Sequence, residues 1–199
     1  MRDIKDTIWI VIPVGQREKY IPQILTLLEE YKNRIVFVNN NADYSRYDGV
    51  HHVEDFLPIN IHRWWNTGIQ YAAEHGARYV AVLNDDIIFD PLIIEDMANK
   101  MNIGNYEVSS ALGNLGAFWV IDTNSDIRAD ENMRWWCGDG DIFRQAKIKN
   151  KLLNYETEKI IHLEHNLQTA SSQFLTELGK NDLIYYRQKL KRLGQMEHW

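Results

Sequence analysis

The first hundred residues alternate between runs of apolar residues and stretches with apolar residues at helical spacing. Near-continuous apolar runs of about four to eight residues are typical of strands buried on both faces of a parallel sheet. Such runs occupy residues 7–13, 34–38, 50–56 and 78–83. The helices predicted between and after them cover residues 20–31, 66–75 and 91–101. This alternation predicts an α/β fold, with a mostly parallel sheet and helices on both of its faces.

The second half of the chain has a less regular pattern. Two short apolar runs favour strands, and three stretches have the apolar spacing of helices. The strands are predicted at residues 117–121 and 159–163, and the helices at 139–148, 172–178 and 182–193. In the last helix, Ile184, Leu190 and Leu193 lie near one face. We expect this face to pack on the domain or on the second subunit of a homodimer.

Length and composition predict one soluble domain. The chain has 199 residues, of which 45% are hydrophobic and 25% charged, as is ordinary for a globular protein. Its 28 acidic and 22 basic residues give a formal charge of −6, which argues against a broad nucleic-acid-binding surface. The single cysteine, Cys137, cannot form an internal disulfide, and no apolar run approaches the roughly 20 residues that span a bilayer. We therefore expect a cytoplasmic protein without an export signal or a transmembrane segment.

Polar residues follow two of the predicted parallel strands, at the end of the strand where such sheets bind ligands. Asn39 follows the second apolar run, and Asn84-Asp85-Asp86 follows the run at 78–83. Clustered carboxylates repel one another unless a cation lies among them, and their oxygen atoms suit Mn²⁺ or Mg²⁺, which can bridge a diphosphate. The same residues could form a solvated turn or a helix N-cap, but their position after a buried strand favours a metal site.

The order of these motifs resembles the family 2 glycosyltransferases of the GT-A fold. The resemblance rests on Asn66-x-Gly68, Ala72-Ala73-x-x-Gly76 and Tyr79-x-x-x-Leu83-Asn84-Asp85-Asp86, and on strands that end in Ile12-Pro13-Val14 and Val38-Asn39-Asn40. It covers roughly residues 7–165. It implies one GT-A-like domain over 1–199, with a nucleotide-binding half at 1–100, an acceptor and catalytic half at 101–165 and C-terminal helices at 166–199.

The resemblance also implies a donor site for a nucleotide sugar. Asn39 takes the place of the acid that usually reads the uracil end of the donor, and Asn84 takes the place of the first acid of an Asp-x-Asp motif. Asp86 would be the metal ligand of that motif. Arg63 could hold a phosphate oxygen, although a solvated surface arginine explains it equally well. The predicted nucleotide-sugar-binding residues are Pro13, Val14, Arg17, Asn39, Arg63, Asn66, Asn84 and Asp85.

A second acidic cluster, Asp139-Gly140-Asp141, opens the helix predicted at 139–148. An inverting transfer needs a carboxylate to take the proton of the acceptor hydroxyl, and the resembled family places an acid at the start of this helix. Asp139 matches that acid, and Asp141 is expected to orient the site. Both could instead only cap the helix. Trp135 and Trp136 precede the cluster and could form an acceptor-binding wall.

Two histidines lie at the short strand predicted at 159–163, His162 within it and His165 just after it. The resembled family often places a metal-binding histidine here, and a neutral imidazole would complement Asp86 as a ligand. His162 and His165 would point to opposite faces of a strand, so one of them is expected to serve. His162 continues the strand and is slightly preferred, although either could be an ordinary surface or core histidine.

Together these features predict a metal-dependent, inverting glycosyltransferase. It would move a sugar from a nucleotide-diphosphate sugar, expected to be a UDP-sugar, to a hydroxyl group. The acceptor could be a glycan, a lipid-linked sugar, a protein or modified phage DNA. Two alternatives stay open: a non-catalytic nucleotide-sugar-binding protein, which Asn at positions 39 and 84 would suit, and a nucleotidyltransferase.

Overall fold

The fold is built on a seven-stranded sheet, seen in a computed structural model. The structure describes residues 3–15, 18–39, 47–111, 116–157, 159–163 and 172–195. The strands are β1 (Ile8–Pro13), β2 (Ile35–Asn39), β3 (Val50–Glu54), β4 (Tyr79–Leu83), β5 (Ile87–Ile88), β6 (Val108–Ala111), β7 (Phe118–Asp122), β8 (Leu152–Tyr155) and β9 (Ile161–His162). The helices are α1 (Ile21–Leu27), α2 (Ile61–Glu74), α3 (Leu92–Gly104), α4 (Gly138–Ile148) and α5 (Gln173–Arg192).

The order of strands in the central sheet is β3-β2-β1-β4-β7-β6-β8. Strands β1 to β4 run parallel, β7 is antiparallel to both of its neighbours, and β6 and β8 are parallel to each other. Strands β5 and β9 form a separate antiparallel pair. The predicted α/β fold with a mostly parallel sheet is confirmed.

Helices cover both faces of the central sheet because the buried strands are apolar on both sides. Alternate residues of β1 point to opposite faces: Ile8, Ile10 and Ile12 pack in the core beneath α1 and α3, whereas Trp9 and Val11 pack beneath α2 and α4. Both cores are continuous, which explains why the first hundred residues could be interpreted from apolar runs alone.

The C-terminal tail differs from its prediction. It forms the single helix α5, where two helices were expected with a break near Gly179. Leu190 is buried as expected, whereas Ile184 and Leu193 are 55% and 50% exposed in the single chain, so packing of these two on a second subunit stays a prediction. The buried face of α5 consists of Leu175, Gly179, Asp182, Tyr186 and Leu190. The helix packs on the domain, where Tyr186 and Leu190 form an apolar cluster with Met133.

Within the described ranges, none of the helices combines the length and the apolar character that crossing a bilayer would require.

Candidate functional site

The candidate site begins where the chain leaves β4 through Asn84-Asp85-Asp86. The next residues form β5, which pairs with β9 so that Ile87 lies opposite His162. A further backbone bond, from Leu163 N to the carbonyl oxygen of Asp86, closes this pair at 2.9 Å. As a result, His162 Nε2 lies 2.9 Å from Asp86 Oδ1, although the two residues are 76 positions apart in the chain.

His162 Nε2 and Asp86 Oδ1 lie within direct hydrogen-bond distance of each other, and both are atom types that can also ligate a divalent cation. Adjacent ligands of an octahedral Mg²⁺ or Mn²⁺, each about 2.1 Å from the ion, lie about 3 Å apart, close to the observed separation. Asp86 is only 1% exposed, and Asn84 Nδ2 lies 3.5 Å from the same imidazole nitrogen. Among the described residues no cluster of three or more His, Cys, Asp or Glu could hold a metal, so a bound ion would need further ligands from substrate and water.

The ends of β1 and β2 lie on the same edge of the sheet as Asn84. Val14 N donates to the carbonyl of Val38 at 2.9 Å, and Asp55 N donates to the carbonyl of Asn39 at 2.7 Å. Pro13, Val14 and Asn39 are all buried. Arg17 and His165, both predicted site residues, lie outside the described residues.

Arg63, a predicted phosphate-binding residue, is engaged by the loop that follows β3. Its Nε lies 2.7 Å from Asp55 Oδ2, and its second terminal nitrogen donates to the carbonyl of Pro58 at 2.8 Å. Trp64 Nε1 donates to the same carboxylate oxygen at 2.8 Å. Asp55 therefore ties the start of α2 to the end of β3, a role that the sequence did not reveal, and Arg63 would have to leave it to reach a phosphate.

Asn66 also has structural partners. Its Oδ1 accepts from Ala129 N at 3.0 Å, and its Nδ2 donates to Ala129 O and to Glu131 Oε1, both at 2.9 Å. These bonds hold the loop before residue 134 against α2. The amide is thus bonded within the protein at both ends, and its part in a donor site would be indirect.

Asp139, in the first turn of α4, lies beside the strand that pairs with β4. A Cβ placed on Gly116 would be 3.1 Å from Asp139 Oδ2, so the carboxylate sits directly over that glycine. The next residue, Ala117, accepts a 2.9 Å hydrogen bond from Asn84 N. Asp139 therefore lies next to the piece of chain that pairs with Asn84. Its side chain is only partly buried, which leaves it open to a substrate.

Asp141 has a different environment, since its side chain is fully buried. It accepts hydrogen bonds from Arg144 at 2.8 Å, Gln145 at 2.9 Å and Lys189 at 2.9 Å. The bond from Lys189 connects α4 to α5. Lys189 also donates to Asp130 at 2.7 Å, so the network includes the loop before α4. The arrangement is compatible with the orienting role expected of Asp141, because its carboxylate is buried and bonded to three donors within the protein.

Trp135 and Trp136 are partly buried and are held through their backbone. Their amide nitrogens donate to Asp182 Oδ2 at 2.6 and 2.8 Å. The indole ring of Trp136 packs directly on the backbone of α5, because a Cβ on Gly179 would lie 2.5 Å from its Cε2. At least one face of the proposed acceptor wall is therefore occupied by the protein itself.

Burial also affects the titratable groups around the start of α4. It raises the pKa of the Cys137 thiol to about 11, so the thiol stays protonated at neutral pH and is a poor nucleophile. Burial lowers the pKa of His62, whose Nδ1 lies 2.8 Å from the carbonyl of Met133. A carbonyl can only accept, so the neutral imidazole carries its proton on Nδ1.

Comparison with known proteins shows the fold and leaves the activity open. No protein-family model matches the sequence, and neither does any curated protein. Staphylococcus aureus TarS is a structural neighbour at 12% identity and a TM-score of 0.59, over 77% of this chain and 36% of that one. TarS 1–349 in complex with UDP-GlcNAc gives 12% identity and a TM-score of 0.58, over 80% of this chain and 61% of that one.

A third neighbour matches over nearly its whole length. It is a protein of Desulfovibrio desulfuricans G20 provisionally described as a nucleotide-diphospho-sugar transferase, with 10% identity and a TM-score of 0.56. The alignment covers 94% of this chain and 97% of that one. The protein therefore has a GT-A-like fold shared with nucleotide-sugar transferases, and spans about a third of full-length TarS.

Proposed function

We propose that this protein transfers a glycosyl group from a nucleotide-diphosphate sugar to a hydroxyl acceptor. The observation that supports it best is the 2.9 Å contact between Asp86 and His162 just after β4, in a GT-A-like fold. Ligands of open α/β sheets bind outside the carboxyl ends of the strands. A UDP-sugar is the favoured donor because one structural neighbour was solved with UDP-GlcNAc.

In the proposed reaction, Asp86 and His162 would hold one Mn²⁺ or Mg²⁺ ion. When bound, the ion offsets the negative charge of the departing nucleoside diphosphate. Asp139 accepts the proton of the acceptor hydroxyl as the acceptor oxygen bonds to the anomeric carbon. The bond from that carbon to the phosphate oxygen breaks, and its electron pair leaves with the diphosphate. Attack from the face opposite the leaving group inverts the anomeric centre.

Release of free nucleotide tests the proposal. The purified protein is incubated with a panel of UDP-, GDP- and dTDP-sugars and Mn²⁺, with a glycan, a lipid-linked sugar, a protein or modified phage DNA as acceptor. We expect release with one donor class, loss of release in EDTA, and recovery when Mn²⁺ is returned. The Asp139→Asn variant should turn over about 10²-fold more slowly while still binding the donor.

The metal site has its own readout, independent of turnover. UDP with Mn²⁺ should raise the melting temperature of the wild type and of Asp126→Asn, a matched change at an exposed acid elsewhere. Asp86→Asn should lose this Mn²⁺-dependent rise. An equal rise in all three proteins would refute the assignment of Asp86 as a ligand.

A non-catalytic binding protein of the same fold is the second candidate. It is favoured by Asn39 and Asn84, which stand where the resembled family carries acids. Mn²⁺-dependent binding of UDP without release from any donor would support this candidate and exclude the transferase.

A further inference from the structure

The segment from Met133 to Gly138, which leads directly to Asp139, is held from two sides. On one side, Asp182 of α5 accepts three backbone N–H groups. Arg134 N donates to its Oδ1 at 2.9 Å, and the amides of Trp135 and Trp136 donate to its Oδ2 at 2.6 and 2.8 Å. Asp182 is only 4% exposed, so these bonds replace its hydration almost completely.

On the other side, the start of α2 contacts the same segment. Ile61 N donates to Arg134 O at 2.9 Å, and His62 Nδ1 donates to Met133 O at 2.8 Å. The imidazole lies directly against Gly138, because a Cβ there would be 2.8 Å from His62 Cε1 and closer still to its Nε2 and Cδ2. Gly138, the first residue of α4, is therefore in close contact with a fully buried imidazole ring.

We propose that Asp182 is a positioning residue for Asp139. The inference rests on the proposed function, in which Asp139 is the proton acceptor. Asp182 lies 46 to 48 positions from the amides that it binds. It therefore joins the segment from Met133 to Gly138 to a helix that contributes no predicted site residue. Its two oxygens satisfy three donors just before Cys137, whose left-handed backbone (φ 68°) turns the chain into α4.

Position matters here because a general base must lie within hydrogen-bond reach of the proton that it removes. A displacement of about 1 Å can cost about 10²-fold in rate. Asparagine has one acceptor oxygen, so at position 182 it would face at least one backbone N–H with its own NH₂ group. The segment would then shift, and Asp139 with it, while the donor site at β4 and β9 would be unaffected.

The test uses the full chain, a donor that the wild type turns over, and kcat and KM measured separately. We expect Asp182→Asn to lower kcat about tenfold or more with an unchanged KM for the donor. In the Asp139→Asn background the same change should lower kcat no further, since a residue that acts through Asp139 has no effect once that carboxylate is gone. Leu175→Ala is the control, because Leu175 is buried on the same face of α5 but binds none of the three amides. It should lower the melting temperature and leave kcat unchanged.

Two results would overturn the positioning role while leaving the transferase in place. One is a wild-type kcat in Asp182→Asn with only a lower melting temperature. The other is a double variant whose kcat falls below that of Asp139→Asn by the same factor that Asp182→Asn alone costs the wild type. A wild type with no turnover on any donor would refute the proposed function and this inference with it. If Asp182→Asn does not fold, Asp182→Glu keeps the carboxylate, displaces it by one methylene, and is judged by the same criteria.

Discussion

Gly179 should resist replacement by alanine, against the usual preference of helices. In an exposed helix interior, Gly→Ala stabilises by about 1 kcal/mol. Gly179 lies mid-helix in α5, but its missing Cβ is where the indole of Trp136 packs: an added carbon would lie 2.5 Å from Cε2 and 2.6 Å from Cε3. Carbon atoms in contact lie about 3.5–4.0 Å apart, so the ring or the helix must move by about 1 Å. Overpacking of this kind costs about 1–3 kcal/mol.

The net expectation is a loss of up to about 2 kcal/mol, which lowers the melting temperature by up to about 4–8 °C for a domain of this size. Thermal and urea unfolding of Gly179→Ala measure it. Asn181→Ala is the matched control, because Asn181 is exposed on the same helix and should gain a few tenths of a kcal/mol by propensity alone. If Gly179→Ala is stabilised as much as Asn181→Ala or more, the packing of Trp136 on α5 is refuted.

Two further predictions concern the network between α4 and α5. Burial would raise the pKa of Asp130, but hydrogen bonds, foremost that from Lys189, outweigh it and lower the pKa to about 2. The stability contributed by this carboxylate is therefore present above pH about 4 and lost as the pH falls towards 2. Acid titration of unfolding should show a smaller loss over that range in Asp130→Asn than in the wild type. Asp141→Asn should destabilise by about 2 kcal/mol, because the buried carboxylate that accepts charged hydrogen bonds from Arg144 and Lys189 is lost, whereas Asp139→Asn should mainly lower turnover. Near-normal stability of the Asp141 variant in urea would contradict the network.

The half of the site that lies on the central sheet could be predicted from the sequence. Apolar runs on both faces identified β1, β2 and β4, and the carboxyl ends of parallel strands necessarily share one edge. Asn39 and Asn84 to Asp86 were therefore placed correctly by pattern alone. The helix α2 was also expected, but it begins at Ile61 because the side chain of Asn60 caps it through Arg63 N at 3.1 Å.

Other elements left no readable pattern. Strand β6 contains Ser109 and Ser110, two polar residues that the structure buries almost completely in the sheet. Strand β8 is short and partly exposed, so it has no apolar run. Strand β5 has two residues, too few for any periodicity, whereas β9 lies within the strand predicted at 159–163. The pairing of β5 with β9, which brings His162 to Asp86, left no signal in the sequence. Asp182 gave only a weak signal, an acid on the otherwise apolar face of the last helix.

The two halves of the candidate site differ in how they are held in place. Asp86 follows a central strand, and the surrounding sheet fixes its position within a few residues of its own backbone. His162 and Asp139 depend on partners far away in sequence, His162 through the β5–β9 pair and Asp139 through the segment that Asp182 binds. Changes in the second half can therefore disturb the proposed chemistry without touching the core of the sheet. Variants that disrupt the β5–β9 pair should therefore first lose metal-dependent binding of nucleotide. Variants that disrupt the contact of α5 with the 133–138 segment should first lose kcat, because each contact fixes a different participant in the proposed reaction.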